Sequence, residues 1–177
     1  MWFGDEVEGG HEFSVLTARN DTLHLYREAT YLQVAVADGA VVGTLMARVD
    51  GDEPHSDMAA IEKNFERSEK QLLESEHGQH IVHYLQRDRH DTEQMAERTR
   101  QDSQAEILLF LLSPAARGLH LGSRLFDNFL THLQKRGGQS YYLYTDSDCT
   151  YGFYDHRGMR RVAEHMEAPT VDGGSYD

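Results

Sequence analysis

Short runs of strand length open the chain. Residues 13–18 and 23–26 flank Asn20-Asp21, a turn-prone pair, and read as two strands. Residues 31–37 and 41–49 are richer in β-branched side chains and meet across Asp38-Gly39, a dipeptide suited to a tight hairpin. From Gly51 to about Gln104 the pattern changes to polar, charged sequence with helical spacing. Met58, Ile61, Phe65, Leu72 and Leu73 approximate one stripe, and a second helix is expected from about Gln79. That helix carries Ile81, Val82, Tyr84 and Leu85 early but only Met95 and Ala96 later, so its far half has little to bury and is left mobile or for a partner to cover.

The remaining third alternates types. Residues 107–112 are continuously apolar at strand length. A helical period follows from Ser123 to about Arg136, ended by Gly137-Gly138, and residues 140–145 return as an aromatic strand. Strand, helix, strand in this order predicts a parallel pair. A short helix from Tyr151 to about His156 and a last strand at 160–165 complete the expected α/β (α+β) chain, taken as one domain over 1–177.

Composition narrows the functions without choosing among them. The 177 residues hold 39% hydrophobic and 27% charged side chains with a mean hydropathy of −0.64, which suits a folded, non-membrane domain. Seventeen Lys and Arg against thirty Asp and Glu give a net charge of −13, a field that repels nucleic-acid phosphates and favours cationic acceptors if it does more than serve solubility. The single cysteine, Cys149, excludes an internal disulfide. The N-terminus lacks the basic start and apolar core of a secretion signal, so the cytoplasm is the expected compartment. His77, His80 and His83 with nearby His90 drift around a helix at their spacing of three and match no zinc motif; they are expected to be solvated, and no metal is expected.

Residues 111–125 carry the candidate chemistry. They join an apolar strand to a helix start through Gly118 and Gly122, and unpaired amides at a helix N-terminus bind anions such as a pyrophosphate, with Arg117 as a further cation. A plain strand-to-helix connection reads the same way. The stretch Ser113-Pro114-Ala115-Ala116-Arg117-Gly118-Leu119-His120-Leu121-Gly122-Ser123 resembles the acetyl-CoA-binding motif of the GNAT superfamily of N-acetyltransferases, Arg/Gln-x-x-Gly-x-Gly/Ala, with His120 in place of the central glycine. A non-glycine residue there is acceptable where its backbone stays in an ordinary region, and His120 itself reads as a solvent-facing loop residue. Phe153-Tyr154-Asp155-His156-Arg157-Gly158-Met159 is similar to the family's Phe-Tyr-x-x-x-Gly-Phe segment, and the two matches cover about residues 105–160.

The resemblance implies a GNAT-like mixed, mostly antiparallel sheet with a central splayed parallel pair flanked by helices. It implies acetyl-CoA as co-substrate and an amine-bearing acceptor, a small molecule or peptide. In cofactor binding it implies the backbone of Leu112 for the pantetheine, amides of Gly118, Leu119, His120, Leu121, Gly122 and Ser123 for the pyrophosphate, and Ser147 near the cofactor arm. Tyr154 stands where family members protonate the departing thiolate, ahead of Tyr144 and Tyr151. Glu106 stands where many supply a base, or is only a solvated carboxylate at the strand entrance. The alternative is a catalytically idle acyl-CoA-binding or interaction module. Two departures bear on this. Residues 1–30 leave room for little more than a hairpin where the family has two helices, so the 51–104 insertion is expected to supply an acceptor-side wall, a lid or a homodimer contact. The sequence after 165 also stops where the family continues into another strand.

Overall fold

Asp38 and Gly39 both sit at positive φ, 51° and 79°, the conformation that matches the twist of paired strands. They join β1 (Tyr31–Ala37) to β2 (Ala40–Val49). The computed structural model describes residues 10–100, 102–116, 118–146 and 149–164. Within them the hairpin begins a four-stranded sheet of order β1-β2-β3-β4, in which β3 (Ala105–Leu112) pairs antiparallel with β2 and β4 (Tyr141–Leu143) pairs parallel with β3. The parallel pair expected from the strand-helix-strand pattern is present, at one edge of the described sheet. Its pairing ends at the Ile107–Leu143 rung, so residues 108–112 continue without a β4 partner and the two strands part.

One face of the sheet is covered by α4 (Leu121–Lys135), whose apolar stripe Leu125, Phe126, Phe129 and Leu133 packs on Leu45, Ala47 and Ile107. Phe126 and Phe129 are fully buried, each contributing about 2–3 kcal/mol of apolar transfer. The register of β2 against β3 slips between Met46 and Ala47, where Leu108 has no opposite residue. This bulge aims Leu108 and Leu109 together at the other face, where they meet Met46, Leu25, Tyr26 and Ala29.

That second face belongs to α1 (Gly10–Glu28), a helix over residues whose sequence reads as two strands about an Asn20-Asp21 turn. Its buried side is polar. Ser14 and Thr17 turn their hydroxyls back to Gly10 O and Phe13 O, and Asn20 Nδ2 donates to Ser68 Oγ at 3.0 Å. Asn20-Asp21 is therefore mid-helix rather than a turn, because its partners come from elsewhere in the chain: Ser68 for Asn20, and Arg89 for Asp21 at 3.2 Å.

The insertion folds as α2 (Met58–Leu72) and α3 (Glu76–Thr99). Ser75 caps α3 by accepting from Gly78 N, and a Cβ at Gly78 would lie 1.8 Å from Leu72 O, so only glycine lets the two helices turn this tightly. The far half of α3 meets the protein along one side only, largely through polar contacts, Arg89 to Asp21 and Thr92 O accepting from the Tyr144 hydroxyl at 2.7 Å, with Ala96 buried. Residues 160–164 form no strand, with Val162 68% exposed, and His165 lies outside the described residues. On β1, Leu32, Val34 and Val36 are 37%, 49% and 57% exposed along an outer edge that pairs with no further strand among the described residues.

Candidate active site

Where β3 and β4 part, the last rungs carry chemistry. Glu106 lies opposite Tyr142, one rung before the divergence. Its Oε2 accepts from the Tyr142 hydroxyl at 2.8 Å and pairs with Arg48 Nη2 on the neighbouring strand. Arg48 also reaches Glu28 Oε2 of α1 at 3.4 Å. Both polar contacts of Glu106 among the described residues thus fall on one oxygen, and Oε1 accepts from none of them. Only 12% of the Glu106 side chain is exposed, so it is a held carboxylate and not a freely solvated one. The pair and Arg48 line a cavity of about 90 Å³ with Asp50, Arg100 and Ser103. Burial raises the Tyr142 phenol above its usual pKa, reinforced by the Glu106 charge, and keeps it the hydrogen donor.

At the other end of β3 the chain makes a 3₁₀ turn, Pro114–Ala116, and reaches α4 through the glycine-bearing loop. Gly118 has φ 78° with open space around it. His120 stands at the helix N-cap in the left-handed region, φ 53°, ψ 18°, and its side chain does not cap the first turn. The condition of an ordinary backbone at 120 is therefore not met: this position has the conformation a central glycine would take without strain. Gly122 serves packing, since a Cβ there would lie 2.5 Å from Leu112 Cδ1, and one at Gly43 would lie 2.8 Å from Leu112 Cδ2. The Leu112 side chain is received between two glycines. Leu119 is half exposed, while Leu121 packs against the core beneath the helix start. Arg117 and Ser147 lie outside the described residues.

Tyr154 comes from α5 (Gly152–His156), which is held over β3 by Phe153, 5.4 Å from Phe110 and 5.3 Å from Phe126 between ring centres. Burial, with Cys149 nearby, pushes the Tyr154 phenol up to about 12; it stays a neutral O–H near pH 7. Among the described residues no group hydrogen-bonds that hydroxyl. Tyr151 is 42% exposed beneath Arg161, and Tyr144 is committed to Thr92 O. Position thus separates the three tyrosines. The histidines of α3 are dispersed: His77 lies against the Phe13 ring and His90 meets Gln94. No cluster of three or more metal-ligating side chains occurs among the described residues, and none of their helices is long and apolar enough to cross a membrane.

The family model for "Acetyltransferase (GNAT) family" matches residues 2–159. The chain belongs to the GNAT acetyltransferase family. No curated protein matches it. Among solved structures it is similar to the "transcriptional regulator from Bacillus halodurans C-125", at 20% identity with a TM-score of 0.44 over 77% of this chain, and it spans 63% of that protein's length. Acetyl transfer is the general chemistry of GNAT domains, and acetyl-CoA the donor they generally use. Arg48, Tyr142 and the Thr92–Tyr144 contact escape a reading of the sequence. The signal for Arg48 was a charge inside the otherwise apolar 41–49 strand.

Proposed function

We propose that this GNAT protein is an N-acetyltransferase that moves the acetyl group of acetyl-CoA to a primary amine by direct attack. The observation that carries the reading is the parting of β3 from β4 immediately after the rung that holds Glu106 and Tyr142. The chain's residues fit the donor: an uncapped helix start behind the open Gly118 turn suits a pyrophosphate, and the gap beside residues 108–112 suits an extended arm. Acetyl-CoA supplies an activated thioester carbonyl.

Glu106 Oε1 receives the ammonium proton, directly or through water, and passes it to solvent. The C–N bond forms as the C–S bond breaks. Tyr154 gives its proton to the leaving sulfur, and the second proton that nitrogen sheds as the amide forms returns through solvent to Tyr154, so the net release is the one proton taken from the ammonium by Glu106. Arg48 and Tyr142 fix the orientation of the Glu106 carboxylate by holding Oε2.

Titration calorimetry with acetyl-CoA, CoA and ADP tests the donor site, and thiol release with a panel of amines tests turnover. Tyr154→Phe and Glu106→Gln are expected to lower kcat by about 10²-fold or more while acetyl-CoA still binds. Binding with no turnover across the panel would instead establish an acyl-CoA-binding module, and no binding by the folded protein would overturn the donor assignment.

A further inference from the structure

The cavity beside Glu106 has a composition that bears on the acceptor. It is about 90 Å³, room for a few heavy atoms, and its lining mixes Arg48, Arg100, Asp50 and Glu106 with the hydroxyls of Ser103 and Tyr142. A bare alkylamine would leave such a lining half used. Arg48 is committed to Glu28 and Glu106. Arg100 is placed differently. It sits at the C-cap of α3, its backbone N–H bonded to Ala96 O, while its exposed side chain lines the same cavity as Tyr142. The cavity is therefore lined both by Glu106, whose Oε1 has no hydrogen-bond partner among the described residues, and by the guanidinium-bearing Arg100 at the end of α3.

On the acetyl-transfer reading above, we propose that the acceptor is a small free α-amino acid. Its ammonium group is held at Glu106 Oε1 and its carboxylate by Arg100, with Tyr142 between them. An α-amino acid carries its two charges a few bonds apart, so one molecule can satisfy both walls of a cavity this small. A guanidinium is the side chain suited to a carboxylate, which it binds through paired N–H donors. The amine is then delivered close to the divergence, because Glu106 precedes the Leu108 bulge by two residues, about 7 Å along a strand.

The test compares kcat/KM from thiol release by the full-length chain at saturating acetyl-CoA. The acceptors are L-alanine, L-alaninamide and ethylamine, the latter two having amines less and more basic than that of alanine and no carboxylate. Alanine is expected to exceed both by about tenfold or more, the worth of one charge-assisted contact. Arg100→Gln is expected to erase that preference, and Arg100→Lys to retain part of it. Because Arg100 is exposed, neither substitution threatens the fold. Equal or better turnover of ethylamine or alaninamide overturns the acceptor class while leaving acetyl transfer standing. A preference unchanged in Arg100→Gln overturns the carboxylate site. No thiol release with any of the three, in protein that binds acetyl-CoA, overturns the acceptor class and counts against the acetyl-transfer reading itself.

Discussion

His120 shows how much one backbone conformation costs. It is a residue with a Cβ in the left-handed region at a helix start, with no capping bond in return. His120→Gly should therefore raise stability by about 1 kcal/mol in denaturant titrations; an unchanged or lower midpoint would mean the imidazole has a compensating contact. His24 is a second residue with a readable cost. It is a partly buried residue of α1 beside Phe65, 6.0 Å away, with Glu28 at 3.3 Å, and its pKa falls to about 4 because burial disfavours the cation and Arg89 and Arg27 repel it. The unfolded chain takes up that proton near pH 6.5, so stability is full above this and is lost as pH falls toward 4, by about 2–3 kcal/mol. Asp21, Glu28 and Asp88 have raised values and act in the opposite sense at the acid end. Urea unfolding at pH 7 and pH 5 should show the decline, and His24→Gln should flatten it. At this scale Glu106 and Tyr154 were legible through motif positions, whereas Arg48, Tyr142 and Arg100 were not, because their roles come from cross-strand and helix-to-sheet neighbours.

Among the elements, those with local causes were readable and those with distant causes were not. The 31–49 hairpin follows from Asp38-Gly39, and α4 from an apolar stripe closed by glycines. α1 hides because its buried side is Ser14, Thr17 and Asn20: the two hydroxyls bond carbonyls of the helix itself, and Asn20 becomes a reasonable core residue only once Ser68 arrives from α2. Gly78 is the element-scale counterpart. Gly78→Ala places a Cβ 1.8 Å from Leu72 O and should destabilise by about 3 kcal/mol as the α2–α3 turn opens, visible as a lower melting temperature. Tyr144→Phe removes the hydroxyl that ties the residue following β4 to α3. It should cost about 1 kcal/mol and speed amide exchange in the C-terminal half of α3 more than in its N-terminal half.

For the whole molecule, a net charge of −13 on 177 residues means self-repulsion, which ionic strength relieves. Raising sodium chloride from about 10 to 150 mM, where the Debye length shortens from 30 to about 8 Å, should raise the melting temperature. No change would mean that the ion pairs of the α1–α3 face, screened by the same salt, balance the repulsion.

The same charge guards the outer edge of β1. Leu32, Val34 and Val36 present an apolar row beside unpaired strand backbone, the template on which chains stack edge to edge. Near the sequence pI of about 5.2 the electrostatic guard vanishes, within the interval where His24 is already loosening α1. Colloidal stability and fold stability then fail together, so this protein should turn cloudy on mild acidification well before it unfolds completely, and a lysine at Val34 should keep the solution clear.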